Sequence, residues 1–359
     1  MQIVEFRPGT LRFAEDIPAD VPRGGFVWIF LDREEFEAST AKIQKAAQAL
    51  GGSQILDLHL KDMSNASHPS HYDYTSVYDR IVFRRLATPD ETGAGGEGSG
   101  EKNPFRRIET RAVTFVVFDR LLISVHPGGC FTAKSFIQRY LADAVHSEGS
   151  AAARSRLPTS PSDLMLRMVN LMVDSYLELR KPLGAQLDRW QQELLRPKSV
   201  ANWHELMAVR GGLHALEDLC EEQQDAMQEW LDTLREQPPE SMERSERDNL
   251  ITRARDVVEH VQRVMHHVRR MEQGAETAVQ IHFSVQSNRT NDIMRTLTAL
   301  TAIFLPLNLI AGIFGMNFEF LPFAHARDGF WWAVASMVLI ALVLGVIFWR
   351  KHYLARTSR

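Results

Sequence analysis

The sequence predicts an α+β membrane protein, with an N-terminal α/β domain, a long stalk helix and two C-terminal transmembrane helices. Three observations predict it. Two uncharged runs, "LTALTAIFLPLNLIAGIFGM" (Leu297 to Met316) and "GFWWAVASMVLIALVLGVIFW" (Gly329 to Trp349), stand near the C-terminus. Ahead of them no proline occurs between Pro239 and Pro306, and apolar residues recur every three or four positions. The first 130 or so residues instead alternate strand-like apolar segments with a helical one.

Each uncharged run covers about 30 Å as a helix, the thickness of a bilayer's hydrocarbon core. Phe330, Trp331 and Trp332 open the second run, and Phe348 and Trp349 close it, as suits aromatic belts at a membrane interface. The tail carries Arg350, Lys351, Arg356 and Arg359 without an acid, and Arg289 and Arg295 precede the first run. The connecting loop from Asn317 to Asp328 has only Arg327. The positive-inside rule therefore predicts cytoplasmic termini and a short outer loop.

Bulk composition adds exclusions. The chain has 359 residues and a formal charge of −4, so no basic excess argues for nucleic acid. Its mean hydropathy of −0.21 hides the concentration of apolar residues at one end. Cys130 and Cys220 form no CxxC or Cys/His pattern, which predicts neither a disulfide framework nor a zinc knuckle. The opening "MQIVEFRPGT" has no hydrophobic signal core. No nucleophile–base set emerges, so no enzyme is expected.

The expected organisation runs in order. Residues 1–150 form a cytoplasmic α/β domain, 151–240 a helical hairpin region, 241–296 the stalk and 297–316 the first span. Residues 317–328 form the outer loop, 329–349 the second span and 350–359 a basic tail. In the first domain "FVWIFLD" (Phe26 to Asp32) reads as a strand and "REEFEASTAKIQKAAQAL" as a helix. "YTSVYDRIVFRRLA", "AVTFVVFD" and "LLISVH" read as further strands, with Asp119-Arg120 as a tight turn between the last two. The polar, Gly-rich segment from Thr88 to Pro104 reads as a disordered loop without a phosphate-binding pattern.

From about Leu164 the chain reads as helical, punctuated at Pro182 and Pro197 and broken at Pro238-Pro239. On the stalk Leu250, Ala254, Val257, Val261, Val264, Val268, Met271, Ala275 and Ala278 form one stripe. Such a long helix needs neighbours along its length. Gly274 weakens it without stopping it. "EDLCEEQQDAMQEWLD" (Glu217 to Asp232) carries seven acids and no base. It reads as a solvated helix face or as a field that concentrates or senses cations.

The first span is not uniformly apolar. Asn291, Met294, Leu297, Thr301, Leu305, Asn308, Gly312 and Gly315 follow at steps of three or four and share one face. An amide buried unpaired at Asn308 costs about 1–3 kcal/mol; water in a lumen, or a ring of the same residue from neighbouring subunits, removes the penalty. Bonding to the second span is the alternative. Two helices cannot enclose a pore, so this face calls for several copies around an axis. Asn317 would then offer neutral oxygens at the outer mouth, and Glu319 a negative ring. Neutral oxygens suit Mg²⁺, which dehydrates reluctantly. Leu297 and Met294 would form constrictions that close by dewetting. Pro306 frees the carbonyl of Ala302 and can kink the helix.

With "FLPLNLIAGIFGMNFEFLP", its Gly315-Met316-Asn317 signature, the second span and the basic tail, the chain resembles the CorA family of magnesium channels. The resemblance implies a funnel-shaped homopentamer whose first span lines the pore. It implies passive influx of hydrated Mg²⁺, with Co²⁺ and Ni²⁺ also admitted, and closure by cytoplasmic Mg²⁺ at subunit interfaces. It implies an outer selectivity ring of Gly315, Met316 and Asn317. Asn308 and Thr301 match small or polar pore levels, Leu305, Leu297 and Met294 hydrophobic ones, and Asn291 the cytoplasmic end. Phe323 stands where the family often has a loop acid, and Gln280 where some members have an acidic ring. Regulatory ligands therefore do not carry over. The nearest competing reading is a zinc transporter using His260, His266 and His267, or His68 and His71, although these form no HExxH or Cys/His set. A non-conducting anchor that binds a partner is the other, and it has no need of Asn308 or Glu319.

Overall fold

The computed structural model describes residues 1–87, 108–138, 157–194, 203–236, 238, 242–316 and 329–350. The Gly-rich segment from Thr88 to Pro104, Pro197 and the basic tail beyond Arg350 lie outside the described residues. The chain divides into two compact units, Met1–Glu193 with Val200–Thr277, and Leu194–Ser199 with Ala278–Arg359.

The first unit is built on a seven-stranded sheet of order β2-β1-β3-β7-β6-β5-β4. Its strands are β1 (Gln2–Arg7), β2 (Thr10–Ala14), β3 (Phe26–Asp32), β4 (His71–Tyr74), β5 (Tyr78–Leu86), β6 (Thr110–Phe118) and β7 (Leu121–His126). Every pairing is antiparallel except β3 with β7, where Val27 lies opposite Leu121 and Asp32 opposite His126. The expected strand "FVWIFLD" is β3, residue for residue. Asp119-Arg120 joins β6 to β7 as expected, and the Arg120 carbonyl accepts from the Val27 amide. The β1–β2 hairpin was not expected. Pro8-Gly9 turns it, with Gly9 at φ 79° in the region that only glycine enters without strain.

Period-two alternation sends β3 into two cores. Phe26, Trp28 and Phe30 join one cluster, and Val27, Ile29 and Leu31 join the other. The second cluster is closed by α1 (Arg33–Gly51) through Phe36, Ile43, Ala46, Ala47 and Leu50. Met63 of the short α2 (Asp57–Ser64) adds to it. After the short α3 (Phe131–Phe136), three long helices supply the other face: α4 (Pro161–Leu194), α5 (Trp203–Glu236) and the first part of α6 (Arg244–Phe314). The result is a three-layer α/β/α unit whose central strands are apolar on both sides, as two covered faces require.

Polar links fix the helices to the sheet. Tyr176 of α4 and Gln223 of α5 both donate to the Arg84 carbonyl, at 2.9 and 2.8 Å. Trp230 of α5 donates its indole N–H to Asp79 at 3.1 Å, and Tyr72 donates to the same carboxylate at 3.2 Å. Burial outweighs these bonds and pushes Asp79 up to about 6. Asp163 holds Arg167 and Arg253, each at 2.9 Å, tying α4 to α6.

The stalk stripe is buried as expected, from Leu250 through Ala254, Val257, Val261, Val264 and Val268 to Ala275. Two expectations need correction. Pro182 does not punctuate the helical region but lies inside α4. "YTSVYDRIVFRRLA" is not one strand: Tyr74 ends β4, and the turn to Tyr78 is closed by the Thr75 hydroxyl, which accepts from the amides of Val77 and Tyr78.

Candidate functional site

In the second unit, α6 continues to Phe314 without interruption and α7 spans Gly329–Arg350. Both carry windows long and apolar enough to cross a membrane, and only 6% of each window is buried. Pro306 lies within α6 and does not end it.

At about 100° per residue, Asn291, Met294, Leu297, Thr301, Leu305, Asn308, Gly312 and Gly315 occupy one arc of α6. All eight are exposed in the chain. Exposure is not confined to this arc, since Leu300, Phe304, Ile313 and Phe314 on other sides of the helix are exposed too, and the positions with some cover lie away from the arc. Ala299 is buried, and Ala302, Ile303, Pro306 and Ile310 are half-buried. Hydroxyls on the open arc are satisfied within the helix: Thr301 donates to the Leu297 carbonyl at 2.9 Å, and neighbouring Thr298 to Met294 at 2.7 Å. Among the described residues no hydrogen bond joins Asn308 to the second span, so its amide faces outward with the rest of the arc. Gly312 has open space where a side chain would begin.

The helix ends at Gly315-Met316, whose amides donate to the carbonyls of Ala311 and Ile313. A Cβ on Gly315 would stand 3.1 Å from the Ala311 oxygen. Glycine is therefore suited here to close backbone approach, not to a left-handed turn. Asn317 and Glu319 lie outside the described residues.

The histidines proposed for zinc do not converge. His260 faces Asp174 with Nδ1 and Asp256 with Nε2, each at 3.6 Å, so one ion cannot meet all three through a single ring nitrogen. His267 sits 3.2 Å from the Arg180 guanidinium, and burial together with that cation holds its pKa below the usual range. His68 and His71 are tilted against each other with ring centres 6.3 Å apart, and His68 Nδ1 lies 2.9 Å from the Pro69 carbonyl. His126, which no motif singled out, is fully buried beside Ser124 and driven down to about 3 by desolvation, a neutral core residue.

Sequence reasoning missed one grouping. His214 and Glu217 of α5 and Glu272 of α6 bring three metal-ligating atoms within 4.8 Å of one another. Glu217 falls in the acidic stretch singled out above. His214 and Glu272 lie far apart in sequence, and no spacing rule joins them.

The chain matches the sequence model of the CorA-like Mg²⁺ transporter proteins over residues 25–351. It is 29% identical over 198 residues to the cobalt/magnesium transport protein CorA of Thermotoga maritima, covering 53% of this chain and 52% of that one. The alignment thus spans about half that relative's length. In three dimensions it is similar to the complete CorA magnesium transporter of Methanocaldococcus jannaschii, with a TM-score of 0.74 and 18% identity over 97% of both chains. It is also similar to the full-length CmaX protein, with a TM-score of 0.65 and 16% identity over 97% of this chain and 96% of that one.

Proposed function

Because this chain belongs to the CorA-like Mg²⁺ transporter family, we propose that it is a homopentameric channel for divalent cations, admitting Mg²⁺ and also Co²⁺ or Ni²⁺ across the plasma (inner) membrane with both termini in the cytoplasm. One observation supports this most. The arc from Asn291 to Gly315 is exposed along its whole length, and the half-buried positions of the same span, Ala302, Ile303, Pro306, Leu307 and Ile310, are all apolar. That arc mixes amide, hydroxyl, glycine and aliphatic groups. Lipid alone is a poor solvent for an unpaired amide, and a water-filled axis shared by several copies is a good one.

In this reading Asn317, with Gly315 and Met316, forms an outer ring of neutral oxygens that meets the ion with its water still bound. Retaining water avoids the dehydration that Mg²⁺ resists. Glu319 raises the local cation concentration. Asn308, Thr301, Gly312 and Asn291 line successive pore levels. Leu305, Leu297 and Met294 narrow the path, the last two acting as a dewetting gate. Cytoplasmic divalent ions regulate opening.

The test is flux into liposomes containing the purified protein. We expect Mg²⁺ entry that hexammine cobalt blocks and that Asn317→Ala abolishes. Unaltered uptake in that variant would refute the ring. Comparing Mg²⁺ with Zn²⁺ flux, with and without a proton gradient, separates the zinc reading; a monomer in detergent would favour the anchor.

A further inference from the structure

Outside the open arc, one group of three metal-binding side chains from two helices converges among the described residues of the first unit. His214 and Glu217 are three residues apart on α5 and so share one face. Glu272 reaches them from α6, its carboxylate 4.0 Å from His214 Nδ1. Ligands around one tetrahedral Zn²⁺ stand about 3.3 Å apart, given metal–ligand bonds near 2.0–2.2 Å. Closing the remaining gap takes side-chain rotation only, because His214 is exposed and both glutamates keep contact with water.

The charges around the group show what it lacks. Arg269 donates to Glu217 at 2.5 Å and to Glu221 at 2.6 Å. Arg269 thus engages Glu217 from one side, and the His214 imidazole faces Glu272 from the other. A divalent ion among the three would neutralise both carboxylates and take the imidazole as its third ligand.

We infer that His214, Glu217 and Glu272 form a divalent-metal site between α5 and α6, selective for a borderline ion such as Zn²⁺, Co²⁺ or Ni²⁺ over Mg²⁺. The selectivity follows from the donor set. An imidazole nitrogen with two carboxylates suits late first-row metals, whereas Mg²⁺ prefers an all-oxygen octahedron. The site is independent of the conduction reading, since it lies within the first unit and uses no residue of the open arc.

The full-length protein in detergent, titrated with Co²⁺ as an optical probe, tests it. We expect visible d–d absorption saturating at one Co²⁺ per chain and persisting in excess Mg²⁺. The affinity falls by more than about tenfold in His214→Ala and in Glu272→Gln. It is unchanged in His260→Ala. Circular dichroism verifies that each variant is folded. Absorption that survives both substitutions, that vanishes with His260→Ala instead, or that equimolar Mg²⁺ erases would overturn the assignment. Loss of Mg²⁺ flux in liposomes without change in this signal would bear on the conduction path alone.

Discussion

The two units solve opposite problems with the same residue types. In the first, Val261 of α6 is 1% exposed and Trp28 of β3 is fully enclosed. In the second, Leu305 of that same α6 is 68% exposed, and Trp331, Trp332 and Trp349 of α7 are as open. One helix thus passes from a striped pattern, apolar on one face, to a pattern apolar nearly all round. A stripe is what a helix needs against a sheet and other helices; an all-round apolar surface needs lipid or further copies of the chain. The difference teaches that α6 is built for two surroundings, a protein core at one end and an apolar medium at the other.

Substitutions can break or sharpen that contrast. The largest loss is expected for Trp28→Ala, which empties a site packed by Phe30 and Phe136 and removes the indole bond to Ser124 at 2.9 Å. Cavities of this kind cost about 3–5 kcal/mol, read as a lowered denaturation midpoint in detergent. An unchanged midpoint would mean the first unit is not the tightly packed one.

Next comes Gly25→Ala. A Cβ there would lie 1.9 Å from the Phe6 carbonyl oxygen, and the backbone has to move, costing about 1–3 kcal/mol. Gly312→Ala is its counterpart in the second unit, where the new methyl meets open space. It should leave the midpoint unmoved or raise it, since alanine favours a helix over glycine by about 1 kcal/mol, while lowering Mg²⁺ flux, if the open arc faces the axis. Equal midpoint losses in both variants would erase the contrast.

A smaller effect depends on pH. Asp79 titrates near 6 in the folded chain because burial raises it, against about 3.9 when unfolded. Below pH 4 both states are protonated. Between about 4 and 6 folding takes up a proton, so the stability from this group falls as pH rises, and above 6 the loss is constant. Relative to Asp79→Asn, wild type should lose stability across that window at up to about 1.4 kcal/mol per pH unit. A flat difference from pH 4 to 7 would show that Asp79 is not held neutral beside Trp230. The smallest change is expected for Leu309→Ala, on the open side of the first span, within about 0.5 kcal/mol in detergent.

Much of the fold was legible because it rests on period. β3 and α1 follow from alternation and from helical spacing, and the stalk stripe from steps of three and four. The β1–β2 hairpin was not, since "IVEF" is short and its neighbours signal only a turn. Pro182 misled because a proline's tolerance depends on whether neighbours satisfy the freed carbonyl, which sequence does not state. Of the candidate residues, the face of α6 could be read from spacing. The meeting of His214 with Glu272 could not, because it depends on how α5 lies against α6.

The single parallel pairing has a consequence for how the chain is made. Val27 meets Leu121 only after some ninety intervening residues have emerged, and bringing distant segments together is the entropically costly step in assembling a sheet. Until then the nascent β3 has a bare apolar flank, so the slow event in synthesis is docking the late β6–β7 hairpin onto it. Stalling translation before β7 has emerged from the ribosome should leave that flank bare and protease-sensitive, and stalling once β7 is outside should let the hairpin protect it.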